Sequence, residues 1–255
     1  MHRIFAIIEN TFKESLRQRI FFVVAIFAAI LVIVSIFIEP FALGETSRII
    51  RDVGLAITTI FSMIIVIYIG SQLLYKEYEK RTLYTIITSP VNRSEIIIGK
   101  FIGLIALVAI QIIAMMIIQQ IIILIYEGSP DMRLFIAAPF TVLEAMLMLS
   151  ILLLFSSFSS PALASVMGFL FYVIGHATTD LKALADGIEI PVTKYLVYGF
   201  YYMLPNLENL NFRIELVNHF PISTERLIFG FTYGILYVIL LIYITVLIFE
   251  KQELK

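Results

Sequence analysis

Cysteine and tryptophan are absent from the 255 residues, histidine occurs three times, and Lys, Arg, Asp and Glu together make up only 15%. Without cysteine there is no disulfide scaffold. So little charge excludes a disordered chain, which stays unfolded by being polar. A net charge of −1 leaves no basic footprint for nucleic acid. What is present is apolar: 60% of the residues are hydrophobic and the mean hydropathy is +0.99. Soluble domains carry about 45–50% apolar and about 25% charged residues. A soluble enzyme of this size could not hide that much apolar surface from water. The composition therefore specifies an all-α integral membrane protein, with lipid as the solvent for most of the chain.

A helix needs roughly 20 apolar residues to cross a hydrocarbon core of about 30 Å. Six stretches meet or approach that length: Ile20–Ile38, 53–75, 101–126, 134–158, 161–177 and 227–249. The first is longer than a signal-peptide core of about 7–15 residues, and Glu39-Pro40-Phe41 follows in place of a small-residue cleavage site. It is read as a retained helix. Residues 178–226 are expected to be a long polar-aromatic loop without a seventh span. The expectation is one domain, 1–255, with six transmembrane helices.

Lys and Arg set the orientation. The N-terminal segment, the 76–100 loop and the C-terminus hold eleven of them, whereas the short loops on the other side hold only Arg48, Arg51 and Arg133. Both termini are accordingly expected in the cytoplasm and the 178–226 loop outside. Within 1–19, Ile4, Ile8, Phe12 and Leu16 recur every four residues with Phe5 alongside, and polar residues fill the other face. That pattern predicts an amphipathic helix in the cytoplasmic interface. In the outer loop Tyr195, Tyr198, Phe200, Tyr201 and Tyr202 cluster before Pro205, either anchoring the interface or capping a pathway.

Charge concentrates in the segment 76–100. Pro90 ends one helix there, and Asn92 or Ser94 caps the next. Leu83, Ile86 and Ile87 form a short apolar stripe among charges. Such a stripe either docks another protein or packs onto its own membrane domain. The order Glu77-x-Glu79-x-x-Thr82-Leu83, then Ser89-Pro90-Val91-x-Arg93-x-Glu95, then Gly99-Lys100, resembles the permease subunits of type-2 ATP-binding-cassette (ABC) transporters. The resemblance extends over the whole chain: an amphipathic connecting helix, six spans, a loop between spans two and three, and a long outer loop before the last span. Arg81 departs from the glycine that many members carry before Thr-Leu. The resemblance implies that Glu77, Glu79, Arg81, Thr82, Leu83, Ile86, Ile87, Pro90, Arg93 and Glu95 contact a separate nucleotide-binding ATPase subunit. It also implies a second permease copy, identical or different, export across a bacterial or archaeal cytoplasmic membrane, and room for a periplasmic partner. ATP and Mg would be bound by the ATPase. This chain has no G-x-x-x-x-G-K-[ST], and no cofactor of its own is expected.

Ionisable groups inside a membrane are costly and are candidate functional groups by default. Glu144 and Gln111 each lie about ten residues into a span, roughly 15 Å deep, and are expected to be able to meet. Gln119, Gln120 and His176 lie nearer the outer side. These five residues either line a polar pathway or act as glue between helices, worth roughly 0.6–2 kcal/mol per contact. Gly99/Gly103 and Gly230/Gly234 form two G-x-x-x-G pairs, expected to let helices approach closely within one subunit. No H-E-x-x-H or G-x-S-x-G surrounds the histidines, so neither a catalytic nor a metal site is expected. The alternative to an ATP-driven permease is a self-contained secondary carrier or channel using Glu144 and the glutamines.

Overall fold

The structure is a computed structural model that describes residues 2–16, 20–38, 44–75, 93–188 and 190–251. Among them there are helices and turns and no strand. The helices, in chain order, are α1 (His2–Leu16), α2 (Ile20–Ile38), α3 (Thr46–Gly70), α4 (Arg93–Glu127), α5 (Ala137–Ser156), α6 (Pro161–His176), α7 (Thr178–Gly187), α8 (Pro191–Met203), α9 (Arg213–Val217) and α10 (Thr224–Lys251). Short 3-10 turns occupy Met132–Ile136 and Leu207–Leu210.

Four stretches among the described residues are long and apolar enough to cross a membrane: Thr46–Gly70, Ser94–Glu127, Met132–Ser156 and Thr224–Phe249. A fifth arises if α6 and α7, bent by 60° at their junction, count as one span. Within α2, Phe22–Phe37 is a shorter apolar helix. The expected count of six includes both α2 and α6.

α5 lies at the centre of the bundle and is buried along most of its length. Its neighbours α3, α4 and α10 bury one side and expose Ile60, Ile125 and Leu236 on the other. Apolar residues cover the outside as well as the core, unlike in a soluble protein, as a lipid solvent demands. The buried hydroxyls obey the same rule. Ser35, Thr58, Ser62, Thr141, Ser150 and Thr245 each donate to the carbonyl four residues earlier on their own helix. These six hydroxyl donors are thereby satisfied within their own helices.

Three sequence expectations change. Residues 178–226 are not a loop: α7, α8 and α9 fill most of the segment. Hydrogen bonding of Tyr198 to Asp186, with Lys182 6.0 Å from the Tyr201 ring centroid, ties α8 to α7. The helix expected to enter the third span is α4, which opens at Arg93. α4 runs unbroken for 35 residues, about 52 Å at 1.5 Å per residue and well beyond the hydrocarbon. α3 begins at Thr46 and not at 53, because Arg51 is held by Glu127 and by Asp131 at 3.0 Å. Phe5 is 66% exposed, and the side of α1 turned inward centres on Thr11 and Ser15.

Both G-x-x-x-G pairs are covered by other parts of the same chain. A Cβ on Gly99 would lie 2.7 Å from Ile7, and one on Gly103 would lie 2.8 Å from the Ile8 carbonyl oxygen, so α1 lies directly on the first turns of α4. Gly230 and Gly234 are covered by Asn209 and Leu143.

Candidate functional site

At the end of the bundle opposite α1, a cavity of about 360 Å³ lies between α3, α5 and α6 under the segment Leu210–Arg213. The apolar wall comes from Leu55, Ala56, Ile60, Ala137, Val173 and Phe212. The polar wall comprises Glu144 of α5 and Tyr172 and His176 of α6, together with Thr59, Thr141, Asn211 and Arg213. Each side chain arrives by ordinary local rules. Ser160 caps α6 by accepting from the Leu163 N–H at 3.4 Å, with Pro161 in the first turn. Sixteen residues of helix then carry His176 to the far end.

Glu144 is 3% exposed. Its Oε1 lies 3.0 Å from His176 Nε2, and His176 Nδ1 lies 3.3 Å from Glu208 Oε2. An imidazole between two carboxylates donates to both only when both nitrogens carry hydrogen. The Tyr172 ring stands edge-on to the imidazole at 4.8 Å. Asn211 Nδ2 donates to Glu208 Oε1 at 3.0 Å. The hydrogen bond from His176 holds the Glu208 carboxyl below its usual range, against the opposing effect of burial. The Asn211 amide and the charges of His176 and Arg226 act in the same direction as His176. Asn206 and Asn211 form Asx turns, accepting from the N–H groups of Glu208 and Arg213 at 3.0 and 3.1 Å. Tyr233 of α10 accepts from the Asn206 N–H at 2.7 Å. Arg213 pairs with Asp52 of α3 at 2.9 Å. The roof of the cavity is thereby pinned to α3, α6 and α10.

A second polar cluster joins the ends of α3 and α4. Arg51, 9% exposed, pairs with Glu127 and Asp131. Gln119 donates to the Arg51 carbonyl at 3.0 Å, and Gln120 to the Asp131 carbonyl at 2.9 Å. Gln111 reaches Met115 Sδ on its own helix at 3.7 Å. Of the five intramembrane residues singled out from sequence, the fold brings Glu144 and His176 together. The expected meeting of Glu144 with Gln111 is not made, and the glutamines serve the backbone or their own helix. Depth along two helices does not determine which faces meet.

Glu77, Glu79, Arg81, Thr82, Leu83, Ile86, Ile87 and Pro90 lie outside the described residues. Arg93 opens α4, and Glu95 sits half-buried in its first turn, where the helix dipole favours a carboxylate. Lys100, 7% exposed, donates to the Leu73 carbonyl at 2.7 Å. Ser156 donates to the Ser71 carbonyl at 3.2 Å. Both flanks of the 76–92 segment are thus tied down. Sequence reading did not assign Glu208, Tyr172, Arg213 and Asp52 to the site. The Asn-x-Glu and Asn-x-Arg spacings at Asn206 and Asn211 were the available signals. The tyrosine cluster of α8 does not line the cavity. No cluster of three or more His, Cys, Asp or Glu suited to a metal occurs among the described residues.

Apolar outer faces and several helices long enough to cross a bilayer define a multi-pass membrane protein. Residues 5–254 match the family described as ABC-2 family transporter protein, and the chain belongs to that family of ABC transporter permeases. No curated protein matches the chain.

Proposed function

We propose that this chain is the membrane half of an ATP-driven exporter. α2, α3, α4, α5, α6 and α10 are its six spans, α1 lies in the cytoplasmic interface, and both termini face the cytoplasm of a bacterium or archaeon. The 76–100 segment docks on a separate ATPase subunit that binds ATP and Mg, and 178–226 lies outside. Two permease copies, alike or different, complete the membrane part, with a periplasmic component as an optional addition.

The observation that carries this reading, beyond family membership, is the continuity of α4. One helix runs from the docking segment at Arg93 to Glu127 beside the ion pairs with Arg51. With α1 seated on its first turns and Lys100 bonded to the turn that follows α3, a push on the 76–92 segment moves α1, α3 and α4 together. A rigid element of this kind converts closure of the ATPase pair into tilting of the spans. Glu77, Glu79, Arg81, Arg93 and Glu95 supply the polar contacts and Leu83, Ile86 and Ile87 the apolar ones, with Thr82 and Pro90 in the same interface.

The test reverses Arg93 and Glu95 together. Insertion should be normal and stimulation of the ATPase lost. Unchanged coupling and unchanged capture of the ATPase would refute the assignment. The carrier alternative draws on the Glu144–His176 pair, and transport by the purified chain in liposomes without ATP or a partner would establish it instead.

A further inference from the structure

We propose that the cavity between α3, α5 and α6 is a binding site for a protonated primary amine attached to an apolar body. This rests on the permease reading and names the substrate class for it.

The charge facing the cavity favours a cation. Arg213 is paired with Asp52, and Arg226, which stacks over the lining Phe212, is held by Glu215. His176 lies between Glu144 and Glu208, so one imidazole faces two carboxyl groups. Glu144, 3% exposed, is the carboxyl group among the residues that line the cavity. The Tyr172 ring beside it adds an aromatic group of the kind that attracts ammonium. An anion would meet no unpaired positive group among the lining residues.

Shape and position select the rest of the ligand. The volume of about 360 Å³ falls in the range of small-molecule pockets. Ile60 on α3 and Val173 on α6 are 47% and 48% exposed and form the rim, so the cavity opens sideways between two apolar helix faces. A molecule entering there brings an apolar body along the helices and its amine to Glu144. A free amphiphilic amine and the ethanolamine headgroup of a membrane lipid share this chemistry.

The test uses the full chain in phosphatidylcholine nanodiscs and monodansylcadaverine, a primary amine whose dansyl emission brightens in apolar surroundings. Saturable enhancement above that of empty nanodiscs is expected, together with its absence for the N-acetylated, uncharged probe. Glu144→Gln should weaken binding tenfold or more. Ala56→Phe fills the cavity without changing charge and should also weaken binding tenfold, so the proposal stands or falls even where Glu144→Gln does not fold. Competition by added phosphatidylethanolamine would assign the amine to lipid, and lack of competition would assign it to a free amphiphile.

Binding no greater than in empty nanodiscs overturns the proposal. So does parental affinity in both Glu144→Gln and Ala56→Phe, or equal binding of the uncharged probe. Capture of the ATPase is read separately. Lost probe binding with intact capture refutes the site alone, and normal probe binding without capture refutes the permease reading alone.

Discussion

Gly103→Ala should detach α1 from α4. The added methyl carbon would lie 2.8 Å from the Ile8 carbonyl oxygen and 2.8 Å from Thr11 Cβ. Ordinary contact begins near 3.4 Å, so α1 must retreat by about half an ångström, and a gap of that size forfeits about a quarter of each dispersion contact along the seam. The obstacle at Ile8 is backbone, which no rotamer change relieves. Overpacking of this kind costs about 1–3 kcal/mol. In hydrogen exchange, amides of residues 4–16 should then exchange about 5- to 150-fold faster in nanodiscs, since each 1.4 kcal/mol is a factor of ten. Gly99→Ala meets mainly the Ile7 side chain, with Cγ2 at 2.7 Å, so Ile7→Ala should partly rescue it and should not rescue Gly103→Ala. Gly199, in α8, has open space around its Cβ position and serves as the control; alanine there should be neutral or stabilise by about 0.5–1 kcal/mol. Protection of α1 within twofold of the parent in Gly103→Ala would refute the reasoning.

Three further outcomes are expected. Arg51→Met removes one partner of a buried ion cluster and leaves Glu127 and Asp131 uncompensated, which should cost about 3–5 kcal/mol in denaturant unfolding, whereas Arg48→Ala, facing the exposed Glu45, should cost under about 1 kcal/mol. Glu208 has its folded-state pKa lowered from 4.5, chiefly by the His176 hydrogen bond; its contribution to stability is therefore full above about pH 4.5 and is lost as pH falls through the lowered value, and Glu208→Gln should remove that part of the acid dependence in thermal melts taken from pH 6 to pH 3. Ser160→Ala deletes the cap of α6 and should lower stability by about 1 kcal/mol, with Ser160→Gly costing only a few tenths, read from the same unfolding experiment.

The legible parts of this protein are those that depend on local pattern. The apolar runs that became α2 through α6 and α10 were readable because each helix in lipid must satisfy its own backbone and show apolar side chains outward. The spacing of Ile8, Phe12 and Leu16 likewise announced α1. Local pattern misled where an end was set by a distant partner. α3 starts early because Arg51 finds Asp131, 80 positions away in the chain. Residues 178–226 read as loop because their apolar residues are interrupted by charge, yet α7 and α8 hold each other through Tyr198 and Asp186.

For the site, Glu144 was conspicuous from sequence alone, since a carboxylate amid an apolar run demands an explanation. Its partner was not. The sequence by itself determined the solvent, the helical class, the scarcity of ionisable groups in the interior and the family-like charged segment before α4, all of which follow from composition and short-range periodicity. Only the tertiary structure decided that Glu144 faces His176 and not Gln111, that Glu208 reaches in from the roof, and that the two meet beside a cavity. Those contacts depend on the rotation of α5 and α6 about their axes and on the path of the 204–213 segment. Close packing fixes both, and no spacing along one strand of sequence records either.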